Sequence, residues 1–185
     1  MKNLNSLKTV KLLALFFISS LALVSCSNDD DHDDHEHEEE VITTIIYTLE
    51  DDNGNTVTLT YDDLGGGSTV SGSFIANTTY TGTIQLLNET EDPAEDITEE
   101  VEEEGDEHEF FYTSTISDIV ITKDDVDDDG NPIGIETSLT TGDAGTGSLT
   151  IVLKHEPTKP NDGSSDNAGG STDLEVTFAI EVVFT

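Results

Sequence analysis

Three histidines fall within Asp31-His32-Asp33-Asp34-His35-Glu36-His37-Glu38. Imidazole suits zinc, copper and nickel, and the interleaved carboxylates add charge that attracts a dication. A flexible stretch with this spacing can wrap His32, His35 and His37 around one Zn2+ or another transition metal. Such a site has no preformed geometry, so its affinity would be modest and its selectivity poor. The other reading is a hydrated spacer in which the histidines are incidental to a biased tract. The remaining histidines are His108, in Asp106-Glu107-His108-Glu109, and His155, followed by Glu156. They would form a structured His/carboxylate site if the fold joined them. Nothing in their spacing does so, and each reads as an exposed polar residue at the end of an element.

A second constellation runs from Asp125 to Glu136, as Asp125-Val126-Asp127-Asp128-Asp129-Gly130-Asn131-Pro132-Ile133-Gly134-Ile135-Glu136. It fits the calcium-loop pattern D-x-D-x-D-G-x5-E, in which alternate carboxylates of a curled loop point at one centre and Gly permits the sharp turn. The flanks depart from the EF-hand family, because Ile119-Val120-Ile121-Thr122 reads as strand and Pro132 replaces the apolar residue that pairs two such loops. The expectation is a hairpin loop that binds Ca2+ through Asp125, Asp127, Asp129 and the Asn131 carbonyl, with Glu136 displaced into the next strand. The competing reading is a solvated Asp/Gly turn, since chance matches are frequent in so acidic a chain.

Charge excludes several functions. The 185 residues hold 41 Asp and Glu against 6 Lys and no Arg, a net charge of −35. Nucleic acid is ruled out as a partner, because phosphate contacts need clustered Lys and Arg. Without an Arg fork, phosphorylated substrates and anionic membrane surfaces are also disfavoured. There is no G-x-S-x-G, no H-E-x-x-H and no phosphate-cradling Gly loop, and 11 aromatics without Trp supply a sugar-stacking cleft poorly. The chain reads as a non-enzyme.

Residues 1–25 carry Lys2, Lys8 and Lys11, no acid, and an apolar run from Leu12 to Val24 that is shorter than the roughly 20 residues a membrane span needs. They end in Leu23-Val24-Ser25-Cys26, which resembles the bacterial lipobox. That resemblance implies lipidation of Cys26, the one Cys of the chain, and attachment to a membrane through the lipid alone. The acids after Cys26 resemble the export signal that sends lipoproteins of Bacteroidota to the outer face of the outer membrane; display on the periplasmic face is the alternative.

The elements follow from composition. Residues 26–40 cannot bury a core and read as an extended, self-repelling tether. Alternation begins at Val41, so residues 41–185 form one domain, long enough for a core of its own. Strands are predicted near 41–49, 56–61, 71–77, 79–88, 109–115, 117–123, 133–141, 147–155 and 173–184, punctuated by Gly, Asp and Asn. The expected fold is all-β, an antiparallel β-sandwich of about 8–9 short strands, with Thr on its outer faces. One helix is expected over 93–104, from Asp92 as N-cap, Pro93 at N1, Glu95 at N3, Ile97 and Val101 on one face and Gly105 at C′. Its last turn carries Glu102, Glu103 and Glu104 against the helix dipole, a repulsion that a cation would relieve.

Taken whole, the chain is similar to small acidic lipoproteins of flavobacteria, on the lipobox, the Asp/His tract, Tyr80-Thr81-Gly82-Thr83-Ile84-Gln85-Leu86-Leu87-Asn88-Glu89-Thr90 and Leu153-Lys154-His155-Glu156-Pro157. Such chains are sometimes assigned a type 1 periplasmic-binding fold, but that fold alternates strands and helices in two domains, and here one helix signal faces many strand signals. The functional expectation is a surface-anchored lipoprotein that binds divalent cations, with transition metal at the tether and structural calcium at 125–136. The alternatives are an adhesion or protein-interaction module, or an accessory lipoprotein of an outer-membrane transporter.

Overall fold

Alternation with a period of two builds the molecule in the computed structural model, which describes residues 40–184. Cys26, His32, His35 and His37 lie outside the described residues. Eleven strands follow in chain order: β1 (Thr44–Asp51), β2 (Thr56–Asp62), β3 (Gly67–Ser71), β4 (Phe74–Ile75), β5 (Thr79–Asn88), β6 (Glu95–Asp96), β7 (His108–Ser114), β8 (Val120–Lys123), β9 (Glu136–Thr140), β10 (Gly145–His155) and β11 (Ser171–Val183). Two short helices interrupt them, α1 (Thr98–Glu103) and α2 (Ser165–Ala168). One sheet runs β3-β2-β1-β5-β9-β8, with β6 added at the end of β5; the other runs β4-β11-β10-β7. All pairings are antiparallel except β4 with β11. The all-β, sandwich-like architecture is the expected one.

The core lies between the sheets. Ile45, Tyr47 and Leu49 of β1 and Ile84 and Leu86 of β5 meet Leu149, Ile151 and Leu153 of β10 and Val176, Phe178 and Ile180 of β11. Each such side chain stabilises the fold by about 1.5–3 kcal/mol on burial, before the entropy of ordering is subtracted. Threonines take the outward positions and pair across strands, Thr79 with Thr140 at 3.0 Å and Thr150 with Thr177 at 2.8 Å. The predicted turn after β1 is closed by Asp51, whose carboxylate accepts from Asn53 N, Asn55 N and Asn55 Nδ2. The Asn55 amide holds that carboxyl below its usual range.

Two expectations are corrected. The helix expected over 93–104 is cut to six residues, Thr98–Glu103. Glu95 and Asp96 instead pair with Asn88 and Leu87 as β6, and the Ile97 N–H bonds to the Leu86 carbonyl, so sheet hydrogen bonds capture the residues of the expected first turn. Ile97 and Val101 still bury one shared face. The strand expected over 71–77 is split at Gly72, which has φ +90° and a Cα whose side chain would stand 2.6 Å from the Thr56 carbonyl oxygen. No helix among the described residues is long and apolar enough to cross a membrane.

Candidate metal centre

His108 opens β7 and His155 closes β10, and antiparallel pairing sets the two directly opposite. Their rings stack at 4.8 Å between centroids, 29° apart. Both side chains point inward, in phase with Phe110 on β7 and with Leu153 on β10, because residues two apart share a face. The expectation that they are exposed at element ends is therefore overturned: His108 is fully buried and His155 is 7 % exposed. Their pairing is a consequence of strand register, which residue spacing in the chain does not reveal.

A third residue arrives through a β-bulge. Leu153 pairs with Leu174 and Lys154 with Thr172, which leaves Asp173 as the extra residue of β11. Lys154 Nζ donates to Thr172 Oγ1 at 2.7 Å, so the bulge shifts the phase and Asp173 joins His155 instead. The fourth residue is Glu40, just ahead of β1, with a side chain only 3 % exposed. Expected at the end of the tether, it is built into the folded body.

Glu40, His108, His155 and Asp173 offer ligand atoms that all lie within 4.8 Å of one another. His108 Nε2 stands 3.2 Å from Glu40 Oε1 and 3.9 Å from Asp173 Oδ2. His155 Nε2 lies 3.5 Å from Glu107 Oε2, and Glu107, His155 and Glu156 form a second, overlapping group. His108 Nδ1 lies 3.2 Å from the Glu104 carbonyl oxygen at the end of α1. A carbonyl only accepts, so Nδ1 carries the proton, and in the neutral ring the Nε2 lone pair faces two carboxylates. Neither His108 Nε2 nor Glu40 Oε2 makes a hydrogen bond, although both are buried. An electron pair facing carboxylate oxygens is an arrangement that a cation between them can stabilise.

Among the described residues, the three lysines are committed elsewhere. Lys123 Nζ bonds to Glu109 at 2.5 Å and lies over the Phe111 ring, Lys154 serves Thr172, and Lys159 Nζ reaches Asp127 and the Gly105 carbonyl. Negative charge is dense around the histidines. Burial pushes the Glu104 carboxyl up, and the nearby Glu40 charge adds to the rise. Two imidazoles and two carboxylates form an N2O2 donor set suited to Zn2+, whose ligand atoms stand about 3.3 Å apart at bond lengths of about 2.0–2.1 Å. These buried side chains thus make a group that can hold a metal ion.

The 125–136 loop is organised differently. Asp125 accepts from the Gly134 N–H at 2.7 Å through one oxygen and from the Ile135 N–H at 2.8 Å through the other. Asp127, buried, accepts from the Asp129 and Asn131 N–H groups and the Asn131 side chain, and pairs with Lys159 at 3.3 Å. The Asn131 carbonyl accepts from the Asp127 N–H. Asp129 is exposed, and Glu136 is an exposed residue of β9. The two clusters of convergent ligand atoms found among the described residues include none of these five. A lysine and backbone amides occupy the acids that the calcium pattern would turn toward an ion.

Gly170 backs the Glu40/His108/His155/Asp173 group. It has φ +67°, and a Cβ there would lie 2.1 Å from the His155 carbonyl oxygen and 2.8 Å from the Glu156 carbonyl carbon. Gly170→Ala is expected to cost about 2–4 kcal/mol, from backbone strain plus overpacking. It should also weaken metal binding, because relief of the clash moves His155. Urea unfolding and zinc titration of the variant check both; wild-type values in each would remove this account of Gly170.

No protein-family model, curated protein or solved structure matches this chain.

Proposed function

We propose that this protein is an exported lipoprotein, anchored through Cys26 at the outer membrane, whose β-sandwich binds one divalent transition metal between Glu40, His108, His155 and Asp173. The observation that carries the reading is His108, fully buried, with Nδ1 held by the Glu104 carbonyl and Nε2 unbonded before Glu40 and Asp173. That arrangement fixes the tautomer that ligates metals. The four donors fill a tetrahedral shell and leave no open position for substrate, which favours holding an ion over catalysis. Zn2+ fits the mixed imidazole and carboxylate set best. The lipobox at Leu23 to Cys26 and the acids beyond it support the surface address. The tract of His32, His35 and His37 is a second, weaker site in this reading.

Cobalt substitution tests it. The full chain carrying His32→Ala, His35→Ala and His37→Ala should take up one equivalent of Co2+ with the absorbance of tetrahedral N/O coordination, and Zn2+ should displace it. Adding His108→Ala should abolish the signal. A chain without any uptake would make the cluster an ion-paired imidazolium and refute the reading. Restoring the three tether histidines should raise total uptake, and an unchanged total would remove the tether as a site.

A further inference from the structure

The centre has an asymmetry in how its ligands are held. His108, His155 and Asp173 stand on paired strands of one sheet. Glu40 comes from outside any strand. Behind it, Thr43 is firmly fixed: its N–H and Oγ1 both donate to the Leu87 carbonyl at 3.0 Å, and Oγ1 accepts from the Glu89 N–H. Ahead of Thr43 the backbone bond is local, from the Ile42 N–H to the Glu40 carbonyl at 3.1 Å. Val41 is 55 % exposed, and Ile42 packs against the core only in part. What brings Glu40 to the sandwich is its side chain, which is almost wholly buried among Glu104, Asp173 and the His108 lone pair.

With the His108 Nε2 unprotonated and no cation bound, these neighbours repel it. Glu40 Oε2 is buried with no hydrogen bond, an arrangement that a carboxylate leaves readily when water is one short backbone swing away. With a dication bound, the same carboxylate becomes a ligand and is drawn in. The geometry points to a metal-operated clasp: occupancy of the centre pins residues 40–42 to the sandwich through Glu40, and loss of the metal releases them up to the fixed point at Thr43. This inference rests on the metal reading above and adds its consequence. Release would free up to about 10 Å of chain, the reach of three extended residues. The domain would thereby signal metal occupancy through the chain that precedes it.

Amide hydrogen exchange on the full chain, with His32, His35 and His37 replaced by Ala, reads the clasp. Zn2+ binding is measured on the same sample by calorimetry. Zinc should slow exchange at Val41 and Ile42 at least tenfold, with little change at Thr44 to Asp51. Glu40→Ala should lose that protection and bind zinc at least tenfold more weakly, while the sheet's own exchange is kept. If zinc binds and exchange at 41–42 is unchanged, or Glu40→Ala binds as wild type does, the clasp is overturned and a centre on His108, His155 and Asp173 stands. If zinc does not bind at all, both the clasp and the centre are lost.

Discussion

Zinc at a hundredfold excess over its Kd is expected to stabilise the folded chain by about 2.7 kcal/mol, because it binds the native state and not the unfolded one. For a domain of this size that corresponds to a rise of about 8 °C in Tm. The measurement is thermal unfolding after chelator treatment, with the three tether histidines replaced so that only the buried centre contributes. His108→Ala should reduce the rise to below about 2 °C, because it removes the most deeply buried of the four donors. Mg2+ at the same concentration should produce no comparable rise, since that ion demands six hard oxygen ligands and sheds its water reluctantly. A rise that survives His108→Ala, or that Mg2+ reproduces, would point to general screening of a chain with 41 acids instead of a site. The magnitude matters here. Screening acts weakly and on all charges together, whereas a bound dication would relieve one cluster that contains Glu40 and Asp173 and has the Glu104 carboxyl nearby.

Asp127→Ala is expected to destabilise the fold by about 3–5 kcal/mol with no metal involved. Asp127 and Lys159 are buried together, with side chains 1 % and 5 % exposed. Removing one partner leaves the other charge uncompensated inside the protein, the costly half of a buried ion pair. It also strands the Asp129 and Asn131 N–H groups that Asp127 accepts. Lys159 additionally donates to the Gly105 carbonyl just past α1, so the loss should spread to the turn that carries Glu104. Urea unfolding of the variant provides the free energy, and a cost below about 1 kcal/mol would overturn this account of the loop. Acid should act on the same group. Burial alone would raise the Asp127 carboxyl, but hydrogen bonds from Asn131 and the Lys159 charge outweigh it and hold it below its usual range. A folded-state value below the unfolded one means stability that is complete above about pH 4 and lost as pH falls toward the lowered value. Ca2+ and Mg2+ should shift the unfolding of this loop equally, because its inner carboxylates already have donors.

The helix shows where a local pattern misleads, and the loop shows where one pattern serves two structures. From Asp125 to Glu136 the acids fall at calcium-loop spacing, but carboxylates serve lysine and backbone amides as well as they serve ions. Only the arrival of Lys159 and of the Gly134 and Ile135 N–H groups distinguishes the cases. Asp92-Pro93-Ala94-Glu95 carries a proper helix start, but the edge of β5 offers Glu95 and Asp96 sheet hydrogen bonds, and a helix this short gains too little by itself to resist. The burial of Ile97 and Val101 was nonetheless legible, since an apolar pair four apart needs a core whichever turn it sits on.

What the sequence determined by itself is the class of the fold and the character of its surface. Alternation in runs such as Thr56 to Tyr61 and Thr79 to Asn88, cut by Gly, Asn and Asp, is a local signal, and it dictates strands with one apolar and one Thr-rich face. Its excess of acids likewise sets the expectation against nucleic-acid partners without reference to any fold. The candidate metal centre belongs to the tertiary structure alone. His108 and His155 meet because β7 pairs with β10 in one register, and a slip of one residue would turn His155 away from the core. Asp173 joins them because of one bulge, and Glu40 because the chain leading into β1 passes over the end of the other sheet. Each of these residues is an ordinary polar residue near an element end until register, bulge and burial bring the four together into a group that can hold a cation.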